Sequence, residues 1–240
     1  MRRLLLLALA LAATSGMAFA QQNVRVSGTQ IDELVELPTE MRLGLFVDLG
    51  DGAREIGSVR MVAGTFSIST EGMLPDERDL RALHSGAFPL AFMIGNEFVV
   101  ERDGVRYATA WLQPYHDVNA TGTYDNLFDE WFFRAPPELT DPFGYFNLVY
   151  VTDDVELRAT AATFNLSRGW NIVIARLQDG GLAYGVETAI EGVVMYSYGT
   201  NMTFENLDRQ EDAPEGVPEP APEPAPEDAP ESAPEDEPGD

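Results

Sequence analysis

Short runs in which apolar and polar positions alternate with a period near two recur along the chain, each closed by turn-forming residues. Val24-Arg25-Val26 alternates in this way, and Met41 to Leu49 is a longer apolar run closed by Gly50-Asp51-Gly52. Ile56 to Val62 and Thr65 to Thr70 flank Ala63-Gly64, and further runs cover Phe88 to Ile94, Glu97 to Arg102 and Val105 to Leu112. Asp103-Gly104, between the last two, is a hairpin signal because both residues tolerate the positive φ of a tight turn. The second half repeats the style at Tyr145 to Thr152, Val155 to Ala161, Trp170 to Leu177, Leu182 to Glu187 and Val193 to Tyr198, with Arg168-Gly169 and Gly180-Gly181 marking hairpin turns. Pro75 to Leu83 reads as a helix of one or two turns, and no long stripe of period 3.6 appears elsewhere. The pattern predicts an all-β protein, with one or two antiparallel β-sandwiches of transthyretin or immunoglobulin type.

The two ends depart from this pattern. Arg2 and Arg3, the apolar stretch Leu4 to Ala13 and the small-residue ending Ala18-Phe19-Ala20 have the layout of a secretory signal peptide, which predicts a mature chain beginning at Gln21. The apolar stretch falls short of the about 20 residues that a spanning helix needs, so no membrane span is expected in the mature chain. From Glu211 onward nine of the 16 prolines sit among twelve carboxylates with no basic or aromatic residue, and Ala-Pro-Glu recurs at Ala221, Ala225, Ala229 and Ala233. Such a segment has little to bury and repels itself, which predicts a disordered acidic tail over residues 209–240, read either as a spacer or handle for a basic partner or as a solubilising tail. Between the ends, the expected organisation is an N-terminal β module over 21–113 and a loop with a second β-rich module over 114–208, which together can form one domain.

Composition narrows the partners. The 240 residues carry 15 basic side chains, all arginine, against 40 carboxylates, for a net charge of −25. Nucleic acid and anionic membrane surfaces need a basic footprint and are not expected partners, whereas a cation or a protein or glycan of the cell envelope is. There is no cysteine, so an exported chain of this kind must be stabilised by its core or by metal rather than by disulfides.

The segment with chemistry in it runs from Tyr115 to Glu130. Set against the calcium-loop template D-x-[DN]-x-[DN]-G-x5-E, Asp117, Asn119, Gly122 and Asp125 match, Thr121 replaces Asp or Asn, and Phe128 stands where the closing Glu belongs. In this reading Asp117, Asn119 and Thr121 supply side-chain oxygens, Thr123 its carbonyl, Asp125 a direct or water-mediated contact, and Asp129 or Glu130 closes the shell for Ca2+. The competing reading is a polar turn, in which Asp, Asn, Thr and Gly serve turn geometry.

The run Tyr115 to Asp125 resembles the D-x-N-x-x-G-x-x-D loops of SdrD B-like surface repeats, a resemblance that implies calcium at the matching residues. Val26-Ser27-Gly28-Thr29 through Gly64-Thr65-Phe66-Ser67-Ile68 resembles the carboxypeptidase regulatory-like, transthyretin-like module. Leu166-Ser167-Arg168-Gly169-Trp170-Asn171 is similar to a late strand of uncharacterised exported bacterial proteins that carry such modules. These resemblances cover short pieces and imply a β-sandwich with no assigned activity.

Catalytic constellations are absent from the sequence. The histidines are His84 and His116, too few for a multi-histidine zinc site, and no G-x-S-x-G elbow occurs. The carboxylate pairs Asp129-Glu130 and Asp153-Asp154 are adjacent in sequence, and neighbours on a strand point to opposite faces. The expectation is a noncatalytic secreted or envelope protein with a binding or structural role. The alternative is a secreted hydrolase of polysaccharide, which would show two facing carboxylates in a cleft beside aromatics.

Overall fold

The structure, a computed structural model, describes residues 21–32, 36–49, 52–87, 97–134, 138–140 and 143–200. The predicted signal peptide, the acidic tail and the run Phe88 to Ile94 lie outside them. Sixteen strands follow one another: β1 (Arg25–Asp32), β2 (Met41–Asp48), β3 (Ala53–Arg60), β4 (Thr65–Ser69), β5 (Arg81–Ala82), β6 (Gly86–Ala87), β7 (Glu97–Val100), β8 (Arg106–His116), β9 (Glu130–Arg134), β10 (Glu138–Thr140), β11 (Phe143–Val151), β12 (Val155–Arg158), β13 (Thr163–Leu166), β14 (Gly169–Gln178), β15 (Gly181–Glu187) and β16 (Ala189–Thr200). The protein is all-β, as the alternation predicts. The predicted helix at Pro75 to Leu83 is a single 3-10 turn, Glu77–Asp79, followed directly by β5.

The strands form three layers. The middle one runs β15-β14-β11-β8-β2-β3, and β4-β1-β16 lies across one of its faces. The two are joined at the corners: β11 gives one edge to β14, while along its other edge it pairs first with β10 and then with β8. β10 and β9 both return to β16, and β9 also pairs with β8, which closes a circuit of five strands. A separate four-stranded sheet, β13-β12-β7-β6, covers the opposite face of the middle layer.

Two cores result. The first lies between β4-β1-β16 and the middle layer and contains Val26, Leu43, Leu45, Phe66, Ala110, Leu148, Ile172 and Met195. The second, under the small sheet, contains Phe98, Val149, Val151, Leu157, Phe164 and Val173. Because β14 is covered on both faces, Trp170, Ile172 and Ile174 enter the first core while Val173 enters the second. This accounts for the nearly unbroken apolar run Trp170 to Leu177, since a strand buried on both sides has no solvent-facing positions to make polar.

Particular joints of the fold could not be read from the alternation. β1 pairs with β16 in parallel, not antiparallel, with Val26 beside Ile190 and Ile31 beside Tyr196; no hairpin connects these strands, so turn chemistry does not dictate their direction. Asp103-Gly104 does form a turn, but it passes the chain from the small sheet into β8 instead of closing a hairpin, and Arg168-Gly169 likewise passes from β13 to β14. The 113/114 position falls inside β8, and the first core draws on residues from both sides of it.

Gly28 and Gly169 are dictated by close backbone approach. A Cβ on Gly28 would meet the Val193 carbonyl oxygen at 1.9 Å, at the register shift between β1 and β16. A Cβ on Gly169, whose φ is +108°, would meet the Gln22 carbonyl oxygen at 2.4 Å. That contact stitches the beginning of the described chain into the fold. Gln22 donates to the Arg168 carbonyl and accepts from the Trp170 N–H, and Gln21 bonds the Tyr150 hydroxyl. Asn171, fully buried, completes the knot: its oxygen accepts from Gln22 and Ser167, and its amide donates to the carbonyls of Ser167 and Gly169.

Candidate functional site

β8 ends at His116 and β9 begins at Glu130, and these two residues pair across the strands. The register therefore places Asp117 and Asp129 side by side at the base of the intervening loop. Both are almost fully buried, at 5% and 3% exposure, which for a carboxylate demands hydrogen-bond partners. The loop supplies them. Asp117 accepts from the Thr121 N–H at 3.0 Å through one oxygen and from the Gly122 N–H at 2.9 Å through the other. Asp129 accepts from Val118 at 3.0 Å and from Asp125 at 2.8 Å in the same two-oxygen manner. Ala120 and Gly122 take positive φ, which turns the chain back so that these N–H groups face inward.

The remaining predicted ligands have other roles. The Asn119 side-chain oxygen accepts from the Thr121 N–H, and the Thr121 hydroxyl donates to the Thr123 carbonyl, the very oxygen that the calcium reading needs. Asp125 accepts from the Leu127 N–H and so caps the turn over residues 126–128. Glu130 sits 3.6 Å from His116 Nδ1, out on the strand pair. Calcium requires six to eight oxygens whose lone pairs converge. The oxygens of Asp117 and Asp129 are directed to different backbone donors instead, and among the described residues no group of three or more His, Cys, Asp or Glu side chains is arranged to hold a metal. As placed, these residues do not fit a calcium loop; their oxygens tie the loop to itself.

What the loop does is cover one end of the middle layer's outer face. Tyr124 lies over this end with its ring edge-on to Phe46 at 5.6 Å and to Tyr115 at 5.3 Å, and Trp111 stacks on the far side of Phe46 at 6.3 Å. The Tyr124 N–H donates to one oxygen of Glu55 on β3 at 2.5 Å, and the Tyr115 hydroxyl reaches the other oxygen at 3.3 Å. Ser58, next on this face of β3, donates to the Gly122 carbonyl and accepts from Arg42 Nε. Burial pushes the phenols of Tyr115 and Tyr124 up from their ordinary value; the nearby Glu55 adds to this for Tyr115, and Asp129 and Asp125 add to it for Tyr124.

Between the loop and β3 runs an open groove of about 910 Å³. One wall is continuous along β3 from Ala53 to Ser58, the other along the loop from Thr121 to Asn126, and Phe46 and Arg42 form part of its lining. The loop is legible in the sequence, but the other wall is not. Glu55 lies 69 residues from its partner Tyr124, and nothing in the alternation of β3 marks it. Asp129 is legible as the first half of the acidic pair Asp129-Glu130 at the start of the strand Glu130–Arg134.

Fold and site together define a three-layer all-β protein with an open polar and aromatic groove at one sheet edge, walled by a self-tied loop. No known protein family, curated protein or solved structure matches the chain.

Proposed function

We propose that the chain is an exported, noncatalytic protein with a binding or structural role, and that the groove between β3 and the 121–126 segment is where it contacts a protein or glycan of the cell envelope. The observation that carries this reading is the groove's construction. One wall is fixed by two buried carboxylates, and the carboxylate on the other wall, Glu55, has both oxygens engaged in holding Tyr124 and Tyr115. A binding surface gains from such rigidity, because an ordered wall has less freedom to lose on association. A general acid or base needs a carboxyl that can reach its substrate's proton. Export is supported by the leader-like first twenty residues and by the docking of Gln21 and Gln22 directly after them. No helix of the described residues is long and apolar enough to cross a membrane.

The test is retention of the chain from Gln21 on immobilised envelope glycans and envelope proteins, beside Tyr124→Ala and Arg42→Ala variants. Specific retention weakened by both substitutions supports the groove as contact surface; retention indifferent to both removes it. The rival reading, a polysaccharide hydrolase, draws on Glu55 and Asp125 both lining the groove beside Tyr124. Release of new reducing ends from the same glycans, lost in Glu55→Gln, would replace the proposal with that rival.

Calcium in the Asp117 loop has its own measurement, the thermal midpoint in EDTA and in millimolar calcium with Asp117→Ala as control. A ligand that binds only the folded state raises the midpoint. The self-tied arrangement leads us to expect no rise; a rise that vanishes in the variant would establish an ion site and a loop rearranged around it.

A further inference from the structure

The ends of a β-sheet expose unpaired backbone donors and acceptors, and proteins that remain monomeric blunt them with bulges, charges or brevity. Among the described residues the middle layer ends at β3 and β15, and the layer across it ends at β4. β3 is blunted: it carries a register shift opposite Leu45 and Phe46, and Arg54 and Arg60 near its ends are held in ion pairs with Asp79 and Glu40. β4 is only five residues long. β15 carries no bulge, and its one charged residue, Glu187, stands at the last position, held by Arg176. Its seven residues pair with β14 without a register shift, and Gly181 through Val186 include no charge and no proline, in a chain of net charge −25.

The apolar surface of the second core also runs out onto this edge. On the face under the small sheet, Val186 packs against the core and Tyr184 meets Phe164 edge-on at 6.2 Å. One step further along the same face, Leu182 and its cross-strand neighbour Leu177 are 52% and 50% exposed.

We infer that β15 is a self-association edge, on which a second copy of this chain adds its own β15 antiparallel about a two-fold axis at Tyr184. The strand is self-complementary in that register. Leu182 falls beside Val186 of the second copy, Tyr184 beside its own counterpart, and Ala183 beside Gly185 of the second copy. Glu187, already paired with Arg176, falls beside Gly181 of the second copy, so no like charges meet. A two-fold contact needs this kind of self-complementary patch. Net negative charge opposes the approach of two copies everywhere else, so the neutral strip is where they can meet, and added salt should strengthen the pairing by screening that repulsion.

The experiment is sedimentation velocity on the chain from Gln21 to Asp240 over a range of concentration and salt, beside Leu182→Glu. Leu182 is half exposed, so the variant should keep the wild-type thermal midpoint, while the two new charges near the axis weaken the dimer by about tenfold or more. A second readout uses the absence of native cysteine. Residues directly opposite in an antiparallel pair have Cα atoms about 4.5–5.5 Å apart, within the range a disulfide bridges. Tyr184→Cys should therefore form a disulfide-linked dimer under mild oxidation much faster than Leu74→Cys, an exposed position elsewhere. A monomer at all concentrations, a dimer indifferent to Leu182→Glu, or cross-linking no faster at 184 than at 74 would each overturn the proposal.

Discussion

Each of Asp117 and Asp129 has both oxygens bonded to backbone N–H groups of one loop, so the cost of losing either is set by the donors left behind. A buried donor without a partner costs about 1–3 kcal/mol, and bonds to a charged acceptor sit in the upper part of that range. Asp117→Ala strands the Gly122 N–H and leaves the Thr121 N–H only its longer bond to Asn119, and a loss of about 2 kcal/mol in denaturant unfolding is expected. Asp129→Asn should also be costly, since an amide presents one acceptor where two N–H donors converge. Tyr115 supplies a pH-dependent counterpart. Below the ordinary phenol value of about 10 both states keep the proton and stability is unaffected. Above it the unfolded chain ionises while the buried native phenol, whose affinity for its proton is raised, does not. Stability is therefore lost as pH rises past about 10. Tyr115→Phe should begin less stable by about 1 kcal/mol, for its lost hydroxyl bonds, and then decline less steeply between neutral and strongly alkaline pH. Gly28 is the steric extreme: Gly28→Ala drives a methyl into the Val193 carbonyl, and at least about 3 kcal/mol of destabilisation is expected from the forced separation of β1 and β16.

At the level of elements, the turns divide into those that close hairpins and those that change layer. Asp179 and Gly180, at φ of 50° and 79°, close the β14–β15 hairpin, and Ala63 and Gly64, at 49° and 74°, carry the chain from β3 to β4. Ala63 is an unusual occupant, since a Cβ in the left-handed region costs about 1–2 kcal/mol. Ala63→Gly should accordingly raise the thermal midpoint slightly, by the part of that strain that exceeds glycine's extra unfolded-state freedom. Strands long enough to show several alternations were legible: Met41 to Leu49 became Met41–Asp48, and Trp170 to Leu177 became Gly169–Gln178. Thr163–Leu166 is too short to stand out, and Glu130–Arg134 adjoins a loop whose polar residues break the alternation. The oxygen-bearing residues of the loop were visible in the sequence. The direction of their lone pairs was not, because it depends on Ala120 and Gly122 bending the backbone toward Asp117 and on Glu55 arriving from a distant strand to fix Tyr124.

On the scale of the molecule, β11 and β14 are a wall common to both cores, and neither core can be lost without exposing the other side of that wall. Heating should therefore give one transition, with tryptophan emission and far-ultraviolet dichroism superimposing; separate midpoints would mean that the small sheet melts alone. The parallel β1–β16 pairing reaches further still, into the order in which the fold can be made. Synthesis delivers β1 near the beginning and β16 near the end of the described chain. β1 can meet β4 early, but its other edge stays bare, and the first core lacks Ile190, Val193 and Met195, until the last strand has been made. Contacts so distant in sequence are slow to form and late to be rewarded. A nascent chain of this design stays unlocked until β16 has left the ribosome, and until then it is open to whatever handles unfinished chains.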